Sequence, residues 1–153
     1  MSIDQKEFAA KIQEEHDHLK DEMKRIRKMT NCEFSDGEFD SWRLDLVWLL
    51  RDFHNDLEKH FDLEEEGGFM SDILAIAPQH SHTVEKLESE HQQMLVKLED
   101  AIRQLKAIEI KNTEKIEAAC QTIHEMLEIL TTHEAAEGDL IESTYLNDYG
   151  GGD

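Results

Sequence analysis

Apolar residues recur three and four positions apart along most of this chain, the spacing of helices with one buried face. In the first predicted helix, residues 4–29, the stripe is Phe8, Ile12, Leu19, Met23 and Ile26. The run TNCEFSDG ends it, and Ser35 with Glu38 forms the signature of a capping box for the next helix. That second helix carries Leu46, Leu49, Phe53 and Leu57 inward and continues to about residue 66, where Gly67 and Gly68 stop it. FMSDILAIAPQHSH follows as a longer, partly apolar connection that Pro78 keeps from extending as one regular helix, and it is expected to cover an open end of the core. The third helix spans 81–110, with Val84, Leu87, Met94, Leu98 and Leu105 on its stripe. After a turn at 111–113 the fourth runs to about residue 146, carrying Ile116, Ile123, Met126, Leu130 and Ile141. The tail NDYGGGD, 147–153, is polar and glycine-rich and is expected to fray. Helices of roughly 25 to 35 residues joined by short connections predict an all-α fold, an antiparallel up-down-up-down four-helix bundle. The whole chain, 1–153, reads as one domain with its core at about 4–146.

The stripes are interrupted by ionisable groups. His60 and Glu64 continue the line of Leu46, Phe53 and Leu57, one helical turn apart. His16 replaces an apolar residue between Ile12 and Leu19, and His91 does the same between Leu87 and Met94. His133 and Glu137 extend the fourth stripe. Histidine-to-glutamate pairs four apart occur five times, at His18, His54, His60, His124 and His133, so spacing alone selects nothing. Phase does: at about 100° per residue only the His60 and His133 pairs fall in line with their apolar neighbours, and His18 is rotated about 160° from His16. The other histidines, His18, His54, His80, His82 and His124, read as solvated or at helix ends. Of the acidic run Glu64 to Glu66, only Glu64 is in phase.

Two further patterns tie these groups together. The chain looks duplicated, EEHDHLKDEM against SEHQQMLVKL and LEKHFDLEEEG against LTTHEAAEGDL, so each half offers one histidine and then a histidine-x-x-x-glutamate. In antiparallel neighbours, residues at one height are equidistant from the turn between them. The midpoint of His16 and His60 is 38, that of His60 and His91 about 75, and that of His91 and His133 is 112, each at or inside a predicted connection. All four imidazoles are therefore expected at one level, with Glu64 and Glu137. Burying such groups without partners costs of order several kcal/mol each, and no lysine or arginine occupies the stripes there. A metal is the expected partner. Imidazole nitrogen with carboxylate oxygen suits iron, manganese or zinc, and six donors exceed one tetrahedral zinc. Two ions about 3 to 4 Å apart, bridged by the carboxylates, fit the count better.

Composition sharpens the partner class. Among 153 residues, 36 are acidic and 16 basic, and the formal charge of −20 repels phosphate backbones and anionic lipid while attracting cations. Nucleic acid and membrane surfaces are not expected partners. No apolar run reaches the roughly 18 to 20 residues of a membrane span, and the start MSIDQKEFAAKIQ does not resemble a signal peptide. A cytoplasmic setting follows, with Cys32 and Cys120 as reduced thiols.

The motifs EHxxL on the first helix, HFxxEE on the second, EHxxM on the third and HExxE on the fourth resemble those of the hemerythrin-like, HHE cation-binding domains, over about residues 7–146. The resemblance implies a non-haem centre of two iron ions, oxo- or hydroxo- and carboxylate-bridged, held by His16, His60, Glu64, His91, His133 and Glu137. Oxygen-carrying hemerythrins place a further histidine one turn before the residue matching His91. Leu87 stands there in this chain, so Glu88 or water would have to substitute, and the resemblance is nearer to the broader group with sensing, peroxide or nitric oxide chemistry. The expected function is a di-iron protein that binds dioxygen or a related small molecule for sensing, storage or detoxification. A di-iron oxidase or peroxide-consuming enzyme is the alternative, although a ferritin-like site would want two inward-facing Glu-x-x-His motifs and only Glu88 with His91 supplies one with its histidine on a stripe. A metal-free acidic interaction module with a histidine pH switch is the third reading.

Overall fold

The computed structural model describes the backbone of residues 3–147 and the side chains of 6–145; the expected fraying of the tail beyond 147 lies outside the described residues. Four long helices form the bundle: α1 (Ile3–Thr30), α2 (Phe39–Glu65), α4 (Ser81–Ala107) and α5 (Thr113–Ile141), with a short α3 (Phe69–Ile76) between the second and third. Neighbours in the bundle are α1 with α2, α2 with α4, α4 with α5, and α5 with α1, the closed ring of an up-down-up-down arrangement. Among the described residues there is no strand, and no helix is long and apolar enough to cross a membrane.

Local chemistry sets the helix ends. The Glu38 carboxylate accepts hydrogen bonds from the Ser35 backbone N–H (2.9 Å) and hydroxyl (2.8 Å), which lowers its pKa and stabilises the turn Asp36–Glu38 that leads into α2. Asn112 caps α5 by accepting from the Lys115 N–H at 3.0 Å. At the end of α2 both glycines are needed. A Cβ on Gly67 would lie 2.3 Å from the Leu63 carbonyl oxygen, and Gly68 adopts φ +90°, a conformation that L side chains rarely take. Pro78 opens a 3-10 turn after Ala77, whose φ −136° and ψ 74° lie outside the helical region, so the connection forms two short pieces instead of one helix.

The core has two apolar clusters. The larger includes Leu19, Met23, Ile26, Leu46, Leu50, Phe53, Leu57, Met94, Leu98, Ile123, Met126 and Leu130. The smaller includes Ile12, Val84, Leu87 and Leu140, closed over by Phe69, Met70 and Ile73 of α3, so the apolar connection does cover one end of the core. Fully burying such side chains contributes about 1.5–3 kcal/mol each. Leu50 rather than Leu49 is fully buried on α2; Leu49 and Ile116 pack only at the edge of the larger cluster. Every bundle helix passes from one cluster to the other, crossing between Ile12 and Leu19 on α1, Leu87 and Met94 on α4, and Leu130 and Leu140 on α5. The ionisable stripe residues lie in those intervals, and on α2 His60 and Glu64 flank the switch from Phe61 to Leu63.

Candidate metal centre

His16, His60, Glu64, His91, His133 and Glu137 are all buried, at 0–3% exposure, in a slice between the two clusters. The helix periodicity that interrupts each stripe at the same height brings them together. His16 and His60 ring centroids lie 4.9 Å apart, and those of His91 and His133 lie 5.0 Å apart, each pair edge-on. Glu64 reaches between the pairs: one oxygen is 3.2 Å from His60 Nε2 and 3.8 Å from His16 Nε2, and the other is 3.2 Å from His91 Nε2. Glu137 does likewise, with one oxygen 2.8 Å from His16 Nε2 and the other 3.3 Å from His133 Nε2 and 3.9 Å from His91 Nε2. Two donor sets result, His16, His60, Glu64, Glu137 and His91, His133, Glu64, Glu137, and both carboxylates belong to each.

Although those separations are short, most are not hydrogen bonds. Nε2 of His60, His91 and His133, both Glu64 oxygens and one Glu137 oxygen are fully buried without a hydrogen-bond partner. Such atoms rarely stay unpaired in a protein interior, because each unsatisfied group costs about 1–3 kcal/mol or more. All of them converge on the same slice, and together they could hold a metal ion. Nitrogen and oxygen donors of this kind suit iron, manganese or zinc.

Electrostatics point the same way. Burial would lower the pKa of His16, but Glu137 and Glu64 outweigh it and raise the imidazole to about 10. His91 is likewise raised to about 10 against burial by the same two carboxylates. His60 is raised by Glu64 and then Glu15, and His133 by Glu137 and then Glu90, both again against burial. Burial opposes ionisation of Glu137, yet the neighbouring imidazoles of His133, His16 and His91 keep it well below the usual carboxylate range. A field that holds protons on imidazoles this strongly also attracts a metal cation.

The outer nitrogens reveal residues that phase analysis passed over. Nδ1 of His60 pairs with Glu15 (2.6 Å), Nδ1 of His91 with Glu65 (2.6 Å) and Nδ1 of His133 with Glu90 (2.8 Å). A carboxylate there fixes the ring and aims Nε2 inward. Glu65, out of phase with its helix's stripe, nevertheless reaches across the α2–α4 seam to His91. The duplication held a signal for this, since Glu15 and Glu90 each precede a slice histidine and each serve the next one in the chain. It breaks at one place. Glu65 corresponds to Gly138, and His16 alone has no carboxylate on its second nitrogen among the described residues.

Beside His16 the fold leaves a cleft between α1 and α5, about 450 Å³, that also touches Met23, Thr131, Glu134 and Gly138 and is bordered by exposed Lys20, Lys24 and Arg27. The cleft is thus edged by basic side chains of α1 and faces Gly138 of α5. Glu134, buried with both oxygens unpartnered and its pKa raised by burial, is absent from both donor sets. Leu87 is buried in the smaller apolar cluster, and Glu88 belongs to neither set. Phe61, not singled out by the stripes, stacks on the His91 ring at 3.9 Å. Of the flank histidines, His54 pairs with Glu99 (2.8 Å), His124 with Thr30 (2.8 Å) and His80 with Ser143 (2.9 Å), while His18 and His82 are exposed.

Comparison with curated proteins and with solved structures returned no match. A model of the family described as hemerythrin HHE cation binding domain matches residues 8–144, nearly the whole chain. A four-helix bundle, a buried histidine and glutamate slice suited to a cation and that family match lead to one identification: the chain belongs to the hemerythrin HHE cation-binding domain family.

Proposed function

We propose that the slice is a di-iron centre, with His16, His60, Glu64, His91, His133 and Glu137 as ligands, that binds or reacts with dioxygen or a related small molecule in sensing, storage or detoxification. The observation that carries this reading is that two four-residue donor sets share both carboxylates, with their unpartnered atoms turned toward one another. Iron held there supplies the redox chemistry toward oxygen or peroxide that no side chain offers.

The chain's own residues set the conditions. Glu15, Glu65 and Glu90 orient three imidazoles, while the His16 ring is held from the inner side by Glu137 at 2.8 Å. Phe53, Leu57, Met94, Met126 and Leu130 exclude water on one side and Leu87 on the other. The α1–α5 cleft offers a small ligand a route to the His16 side. Glu88 stands outside both donor sets, which leaves a ferritin-like oxidase architecture without its motif. The two free cysteines and the charge of −20 favour a cytoplasmic protein that avoids nucleic acid.

Aerobic purification followed by elemental analysis and a near-ultraviolet spectrum tests the proposal. About two irons per chain with oxo-to-iron charge-transfer bands is the expected result, and His60→Ala and Glu137→Ala should lower the metal content while His54→Ala and His124→Ala leave it intact. Metal-free protein at full stability, or equal losses in all four variants, would overturn it.

A further inference from the structure

A second group of donors lies outside the buried slice, on the solvent side of the α1–α2 seam. His18 Nε2 is 3.4 Å from Glu22 Oε1 and 3.6 Å from Asp56 Oδ2, and neither separation is a hydrogen bond. One donor atom from each of the three residues lies within 4.8 Å of the others. A tetrahedral ion with bonds of about 2.0–2.2 Å holds its donors roughly 3.3–3.6 Å apart, so the two measured separations already suit a metal. We propose that His18, Glu22 and Asp56 form a separate, exchangeable binding site for a divalent transition-metal cation.

Glu22 is what makes this more than a surface cluster. It is only 4% exposed, yet Oε1, the atom facing His18, has no hydrogen-bond partner. Burial and the neighbouring Asp56 carboxylate push its pKa up to about 8, with Asp52 adding to the repulsion and Arg25 opposing it. A cation between Glu22 and Asp56 would remove that conflict. His18, 62% exposed at its side chain, and Asp56, 39% exposed, leave the remaining coordination positions to water, which makes the ion exchangeable. The site opens on a cavity of about 220 Å³ lined by Glu15, His18, Leu19, Asp56, Lys59 and His60. Lys59 is the opposing charge in that wall, against the carboxylates of Glu15 and Asp56. Imidazole with two carboxylates selects manganese, iron, cobalt or zinc over calcium or magnesium.

The test uses full-length protein, desalted so that only tightly held metal remains, and titrated with Mn2+ while free Mn2+ is followed by its electron paramagnetic resonance signal. One further Mn2+ per chain is expected, with at least tenfold weaker binding in His18→Ala and in Asp56→Asn and unchanged retained metal in both. His18 is exposed, so His18→Ala should keep the fold; Glu22→Gln, close in shape, provides a third variant should Asp56→Asn unfold. Binding of Mn2+ unaltered in His18→Ala, or no Mn2+ bound beyond the retained metal, would overturn the site. Failure of the buried centre would instead appear in the retained metal, which is counted separately.

Discussion

Removing the carboxylates behind the slice histidines should weaken metal binding by an amount that follows how deeply each one is buried. Glu15, Glu65 and Glu90 pair with Nδ1 of His60, His91 and His133 at 2.6, 2.6 and 2.8 Å, and their side chains are 34%, 40% and 21% exposed. An outer partner of a metal-bound imidazole is worth about 10–100-fold in affinity, or about 1.4–2.7 kcal/mol. Water screens the more exposed pairs, so Glu90→Ala should lie near the upper figure, Glu15→Ala below it and Glu65→Ala near the lower one. Glutamine variants, which keep an acceptor for Nδ1–H and lose only the charge, should cost less than alanine at each position. Competition of metal-free protein for Zn2+ against a chromophoric chelator at fixed pH reads the affinities, with circular dichroism to verify that each variant is folded. If all three alanine variants bind within about twofold of the unaltered protein, far short of the 10–100-fold expected, these carboxylates do not set the imidazoles for a metal.

Other expectations concern the scaffold. Gly138→Ala should stabilise the protein by about 0.5–1 kcal/mol, since Gly138 is helical and its added Cβ meets only Gln13 Nε2 at 4.0 Å; thermal melting should rise by about 1–4 °C, and a fall would show that the cleft is tighter than it looks. Leu46→Ala, at a fully buried position, should lose about 2–5 kcal/mol in urea unfolding, and a loss under about 1 kcal/mol would mean that the site collapses around the cavity. Glu38→Gln should destabilise slightly at neutral pH. Hydrogen bonds from Ser35 lower the Glu38 pKa, so its contribution is present above the unfolded value of about 4.3 and disappears as pH falls through the folded one; melting curves that differ equally at pH 7 and pH 3 would contradict this.

Sequence alone determined the bundle and the height of its polar slice. Stripe positions repeat every turn, and the glycine pair, Pro78 and the capping residues mark the ends, so both phase and the distance from each turn can be counted along one dimension. That is why His16, His60, His91 and His133 could be placed at one level before any packing was known. Which side chains meet across a seam is a different matter, because it depends on rotamers and on the reach of long glutamates from neighbouring helices. Glu15, Glu65 and Glu90 serve histidines 45, 26 and 43 residues away from positions that a helical wheel turns outward. The same holds for Leu50 being buried ahead of Leu49, for the basic-edged cleft beside Gly138, and for Asp56 meeting His18 and Glu22. Periodicity assigns a residue to a face of its own helix, whereas packing two curved surfaces together chooses its partners, and only the folded bundle does that.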